Sequence, residues 1–270
     1  MKNYICSVSQ KTFPRYSPVM KLSPLVSLLD TLLRTEEISD YPGAVNGLQI
    51  ANSGRITRII AAVDACEFVI AEASRVPGTF LIVHHGIFWN GVQPLTGAHY
   101  RKLKSAIDGD LALYSSHLPL DLHPELGNNL LLAHALGMTS LKPALIMKGQ
   151  PVGMIGKIKA IPREALAEKI SETLGGPVHL APGGPEKIRT LLVVTGGAGS
   201  EVVGAARLGV DAFVTGEGPH WSYTAAEEEG INLFYAGHYA TETLGVKALA
   251  AHLSRKTGLP WSFLDHPTGL

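Results

Sequence analysis

The stretch that most constrains this chain is Phe80-Leu81-Ile82-Val83-His84-His85-Gly86-Ile87-Phe88-Trp89-Asn90-Gly91. Its opening apolar run, β-branched at Ile82 and Val83, predicts the end of a buried strand. Two adjacent histidines stand where that strand should leave a sheet, and Gly86 lets the backbone turn away. In open α/β sheets, ligands and metals gather at the carboxyl ends of strands. Neighbours on a strand point to opposite faces. A histidine pair serving one centre therefore needs a bend in the chain, or needs two metals.

The flanking sequence has the alternation that such a strand requires. Ile56 to Val63 predicts a strand ending at Asp64, and Ala65 to Ser74 fits a helix. With Phe80–Val83 they make a β-α-β unit, hence parallel strands and a right-handed crossover. Upstream, Ser23 and Pro24 predict an N-cap and first turn, and Leu25, Val26, Leu28, Leu29, Leu32 and Leu33 follow as one helical stripe. Asn46-Gly47 invites a tight turn into a short strand. Downstream, Tyr100–Ile107 predicts a helix, Leu111–Ser116 a strand, and Gly127–Leu136 a further helix stopped by Gly137.

After Pro143 the composition loosens, with Gly149, Pro151, Gly153 and Gly156 close together, and a lobe boundary is expected there. Pro162 then opens a helix running to Leu174. Strands are expected at Leu191–Val194, Ala212–Val214, Ile231–Ala236 and Trp261–Leu264, with helices at Glu201–Leu208 and Thr243–Leu253. The alternation makes the class α/β, with mixed or parallel sheets flanked by helices. The expected organisation is an N-terminal extension (1–20), a first α/β lobe (21–142) and a second (143–230). A C-terminal segment (231–270) then returns to the histidine motifs.

Composition narrows the function. Lys plus Arg equals Asp plus Glu, at 23 each, so net charge gives no argument for nucleic acid or an anionic membrane surface. No apolar run approaches the roughly 18 residues of a membrane span. Leu22 to Leu33 is broken by Ser23, Pro24, Ser27 and Asp30, so no signal segment is expected and a cytoplasmic protein is. Cys6 and Cys66 lie far apart without metal-ligand spacing, so a metal site must draw on histidine and carboxylate.

Three strand ends carry such groups: His84-His85, His117-x-x-x-Asp121 and His238-x-x-x-Glu242. If the strands are neighbours, all of these side chains converge on one edge. His238 and Glu242 share a helical face. For His117 and Asp121 the same spacing is not expected, because Pro119 should disrupt the turn. Nitrogen and oxygen donors without thiolate suit Zn²⁺, Mn²⁺, Fe²⁺, Co²⁺ or Ni²⁺. The set exceeds the roughly three protein ligands of one catalytic metal. Two metals about 3.5–4 Å apart, sharing a carboxylate and a water, account for it better. Any one of these histidines, alone, reads more simply as a hydrogen-bonded structural residue.

These blocks resemble the signatures of the NIF-three-like family, catalogued as GTP cyclohydrolase I type 2 or dinuclear-metal-centre proteins. The match rests on His84-His85-Gly86-Ile87-Phe88-Trp89, Ser116-His117-Leu118-Pro119-Leu120-Asp121 and Gly237-His238-Tyr239-Ala240-Thr241-Glu242. Asn46-Gly47-Leu48-Gln49, Asp64-Ala65 and Thr215-Gly216-Glu217 are similar to weaker blocks, and the likeness runs from about Leu22 to the C-terminus. The resemblance implies two interlocked lobes and two divalent metal ions per subunit, with His84, His85, Asp121, His238 and Glu242 as ligands and Glu242 as the bridge. His117 matches a family position as a ligand or as a proton shuttle beside the metals. It further implies a toroidal homohexamer with its metal sites facing the interior.

As an enzyme, such a chain would be a hydrolase of a small phosphorylated or heterocyclic molecule, a nucleotide among them. The family label implies attack of metal-bound hydroxide at C8 of GTP and opening of the imidazole ring, with release of formate. His117, Glu217 and His220 are the candidate proton-transfer groups. The alternative is a non-enzymatic metal-binding scaffold or metal-delivery protein, which needs the ligands but no proton-transfer groups. Thr195-Gly196-Gly197-Ala198-Gly199-Ser200 reads as a tight turn, with a phosphate-binding loop as the sharper alternative. Trp89 and Trp221 are candidates for stacking on a purine.

Overall fold

The computed structural model describes residues 18–270. The expectation of an N-terminal extension therefore lies outside the described residues, except that Met20 already belongs to a short strand. The chain runs β1 (Met20–Lys21), α1 (Leu22–Leu33), β2 (Gly47–Ile50), β3 (Arg55–Ile56), β4 (Arg58–Asp64), α2 (Glu67–Ala73), β5 (Thr79–His85), α3 (Gly97–Asp108) and β6 (Ala112–Ser115). The short α4 (Leu118–Asp121), α5 (Asn128–Ala135), β7 (Thr139–Met147), β8 (Gln150–Pro162), α6 (Arg163–Leu174), β9 (His179–Pro182) and β10 (Lys187–Val193) come next. A 3₁₀ turn at Gly199–Glu201 leads to α7 (Val202–Arg207), β11 (Ala212–Thr215), α8 (Trp221–Glu228), β12 (Asn232–Tyr235), α9 (His238–Thr241), α10 (Thr243–Thr257) and β13 (Trp261–Phe263).

One sheet has the order β13-β4-β5-β6-β2, parallel except for β2. The β4-α2-β5 unit is parallel, as its sequence predicts. Alternation along the strands builds two separate layers. Ile59, Ala61, Phe80, Ile82 and Tyr114 face Leu25, Leu29 and Leu33 of α1 and Val246, Leu249 and Leu253 of α10. Ile60, Ala62, Leu81, Val83 and Leu113 face Val69, Ile70 and Ala73 of α2 and Ala106 of α3. Helix α1 begins at Leu22, and no side chain caps it, so Ser23 lies inside its first turn and does not act as the expected cap.

The second sheet has the order β7-β8-β10-β11-β12-β9, with β10, β11 and β12 parallel and the outer strands antiparallel. The glycine-rich stretch after Pro143 forms the β7–β8 hairpin at the edge of this sheet, with Gly149 at the turn. The C-terminal segment crosses back, because β13 pairs with β4 at the edge of the first sheet. Among the described residues no helix is long and apolar enough to cross a membrane.

Candidate metal centre

The parallel strands of both sheets present their carboxyl ends to one cleft, where strands hand over to loops. Strand β5 delivers His84 and His85. The end of β6 delivers His117 and, through α4, Asp121. The end of β12 delivers His238 and Glu242 through α9. Pro119 does not break α4: it sits in the first turn, where a missing N–H costs nothing, and the Asp121 amide donates to the His117 carbonyl at 3.1 Å. The expected loss of helical spacing between His117 and Asp121 is therefore corrected.

Strand β5 runs through both histidines, and their rings turn toward one another at its end, with centroids 4.8 Å apart. Glu242 joins them. Its Oε1 lies 3.4 Å from His84 Nε2, and its Oε2 lies 3.4 Å from His85 Nε2 and 3.2 Å from His238 Nε2. Asp121 Oδ2 stands 3.5 Å from His84 Nε2. Two donors each about 2.1 Å from a tetrahedral ion lie roughly 3.4 Å apart, so these are the spacings of ligands around a metal.

Every ring is aimed by its far nitrogen. His84 Nδ1 is 2.9 Å from the Ser116 carbonyl, His85 Nδ1 is 2.8 Å from Asp64, His117 Nδ1 is 2.8 Å from Asp40, and His238 Nδ1 is 2.9 Å from Glu217. An acceptor oxygen holds the Nδ1 proton and leaves the Nε2 lone pair pointing into the cleft. Asp40 is itself fixed, since Asn46 Nδ2 and the Leu118 amide donate to its second oxygen at 2.8 and 2.9 Å. Burial, the largest single influence, pushes the Asp40 carboxyl up, but hydrogen bonds from His117, Asn46 and the Tyr41 amide bring it below its ordinary value.

His84 and Glu242 are almost wholly buried, at 0% and 2% exposed. His84 Nε2 and Glu242 Oε2 have no hydrogen-bond partner among the described residues. Buried polar atoms without a partner are costly, and bound cations would satisfy them. The charges tell the same story. Burial pulls the His84 imidazolium down, yet Asp121 and Glu242 outweigh it and hold the group well above its ordinary value. Burial likewise opposes the shift of His238, which Glu242 and Glu217 push up to about 9. Glu242 is held well below the usual carboxylate range, against burial, by His84, His238 and His85. The cluster is built for positive charge.

The Thr195–Ser200 loop turns out to be a wall of this site. Four of its six amides are spent internally: Thr195 N on Asn129, Gly196 N on Thr241, Ala198 N on Thr215, and Gly199 N on the Glu217 carbonyl. The phosphate-loop alternative therefore loses most of its donors, and keeps only the amides of Gly197 and Ser200. Glu217 reaches the centre only through His238, in the position of an orienting partner. His220 stands apart, exposed just ahead of α8 and outside the cavity. Trp89 lines the cavity, and Trp221 does not.

Sequence reasoning missed Asp40 and left Asp64 without a role. Asp64 ends β4 and pairs in register with His85, so the same strand-end rule reaches it. Asp64→Asn keeps an acceptor for His85 but removes its charge, and is expected to weaken metal affinity about tenfold in chelator competition. Glu67→Gln, in the exposed pair with Arg101, serves as the control. Equal affinities for both variants would remove Asp64 from the site.

Fold and cluster together describe a mixed α/β protein with a buried histidine–carboxylate site able to hold a metal ion. The family model for Duf34/NIF3 (NGG1p interacting factor 3) matches residues 20–268, and the chain belongs to that family. A Deinococcus radiodurans protein named GTP cyclohydrolase 1 type 2 homolog is 39% identical, covering 91% of this chain and 93% of its own length. The solved structure of protein ybgI, described as of unknown function, superposes with a TM-score of 0.86 at 38% identity, covering 93% of this chain and 100% of that one. TTHA1606 from Thermus thermophilus gives 0.85 at 39% identity, with the same 93% and 100% coverage.

Proposed function

We propose that this chain binds two divalent metal ions through His84, His85, Asp121, His238 and Glu242, and hydrolyses a small heterocyclic molecule of the nucleotide type. The relatives' name, GTP cyclohydrolase 1 type 2 homolog, supports GTP as that molecule, with ring opening at C8 and release of formate as the reaction we propose. One observation carries the reading: the two oxygens of a single buried carboxylate serve different histidines, Oε1 facing His84 and Oε2 facing His85 and His238. Divalent ions held there would supply a nucleophile near neutral pH by lowering the pKa of coordinated water, together with Lewis acidity toward the substrate.

The chain's own groups divide the remaining work. Ser116, Asp64 and Glu217 hold three rings with Nε2 toward the centre. His117, anchored by Asp40, stands against His84 and His85 with ring centroids 4.9 and 5.7 Å away. It is the group placed to move a proton at Nε2. A homohexamer with inward-facing cavities and a cytoplasmic location go with the same reading.

A second reading, metal storage or delivery without turnover, is favoured by one finding. Of the expected proton-transfer groups, Glu217 is occupied with His238 and His220 lies outside the cavity. Elemental analysis after reconstitution with Zn²⁺, Mn²⁺ or Fe²⁺ is expected to give about two ions per chain. The loaded protein is then assayed for formate release from GTP. Metal without any turnover across a nucleotide panel would leave the delivery reading. An absence of bound metal after reconstitution would end both.

A further inference from the structure

The cleft is larger than a metal site needs. It encloses about 710 Å³, within the range of small-molecule pockets. On one side its rim is the β7–β8 turn, where Lys148 and Gly149 have φ of 49° and 78°, the left-handed pair of a tight hairpin. That turn reaches across to the loop after α1. Gln150 Nε2 donates to the Ser39 carbonyl at 2.6 Å, and Lys148 Nζ sits 4.2 Å from the centre of the Tyr41 ring.

Among the described residues Lys148 is the only lysine or arginine lining the cavity, and no carboxylate lies within ion-pair distance of it. The carboxylates that line the cavity are already committed. Asp64 holds His85, Asp121 accepts from Asn128 and faces His84, and Glu242 joins the histidines. A cation is thus left uncompensated at the rim, opposite a floor built for metal cations. Such a cleft draws in anions.

Between rim and floor lie two aromatic rings. Tyr41 and Trp89 have centroids 6.3 Å apart, and Trp89 packs edgewise on His117 and His85 at 4.8 and 5.5 Å. The Trp89 indole N–H is buried and donates to no group among the described residues. Two aromatic rings in the wall of the cavity suit a flat ligand.

We infer that Lys148 anchors a phosphate tail at the cavity rim, while Tyr41 and Trp89 hold the planar heterocycle that carries it over the histidine cluster. This rests on the proposed small-molecule role of the cleft and adds its specificity determinant. Lysine binds phosphate as a point charge, without the geometric demand of arginine.

The test is calorimetric binding to metal-loaded full-length protein, using GMP against guanosine and AMP against adenosine. Wild type should bind the nucleotide more tightly than its nucleoside. Lys148→Ala should weaken the nucleotide about tenfold and leave the nucleoside unchanged, and Lys148→Arg should restore most of the difference because the charge is kept. Tyr41→Leu should weaken nucleotide and nucleoside alike.

If Lys148 serves only as a latch on Tyr41, Lys148→Ala will lower both ligands together, as Tyr41→Leu does, and the inference falls. It also falls if nucleotide and nucleoside bind wild type equally, or if neither binds. The hydrolase reading is judged separately, by wild-type turnover and metal content. Binding that depends on Lys148 without turnover would keep the anchor and retire the hydrolase. Turnover indifferent to Lys148 would do the reverse.

Discussion

Glu242→Gln is expected to empty the centre of metal, leaving close to none where wild type carries about two ions per chain. The argument rests on what this carboxylate touches. Its oxygens stand 3.2 to 3.4 Å from the Nε2 atoms of His84, His85 and His238, so both halves of the cluster share it. Glutamine keeps the shape but removes the charge, and it turns one oxygen into an N–H donor directed at histidine lone pairs. Asp121 would remain for His84, but among the described residues no other carboxylate within ion-pair distance faces the Nε2 atoms of His85 and His238. Elemental analysis reads the loss, and a thermal melt of the metal-free proteins confirms that the variant folds. If Glu242→Gln loses only the ion between His85 and His238, the carboxylate is a ligand to one metal and not a bridge. Full occupancy in the variant would sink the assigned ligand set.

What could be read from the sequence follows how local each interaction is. The β4-α2-β5 unit was legible because Ile59, Ile60, Phe80, Leu81, Ile82 and Val83 form apolar runs of strand length around a helical segment. The β7–β8 hairpin was hidden by its own glycines. Gly153 looks like a loop residue, yet a Cβ there would stand 2.7 Å from Val194 Cγ2, so it is a strand position packed closely against β10. The same contrast governs the site. His84-His85 and His238-x-x-x-Glu242 are short patterns with their own spacing. The Asp40–His117 pair spans 77 residues, and Asp40 lies in a Ser-Asp-Tyr-Pro-Gly turn that looks complete without a distant partner. His220 shows the opposite failure. It follows a strand end in sequence, but Gly218 and Pro219 carry the chain out of the cleft before it is reached.

A second large effect is expected at Gly196, a residue with no functional group. Its φ is 71°, where an added Cβ is strained, and that Cβ would lie 2.2 Å from Glu242 Oε1. The clash is with the end of a side chain, which elsewhere would swing aside. Here it cannot, because Glu242 is buried among three histidines and the loop is pinned by Gly196 N on Thr241 and Thr195 N on Asn129. Gly196→Ala should therefore cost about 1–3 kcal/mol of stability from backbone strain. It should also lower metal affinity by at least roughly a hundredfold, since an ångström of ligand displacement is more than a metal site tolerates. The neighbouring glycine supplies the comparison. A Cβ on Gly197 would meet His238 at 3.5 Å, an ordinary contact, so Gly197→Ala should keep its metal. Equal metal content in the two variants would mean that the loop gives way, and that the position of Glu242 is set by α9 and α10 alone. Loss confined to Gly196→Ala would make the glycine-rich loop the rigid wall against which the shared carboxylate is held.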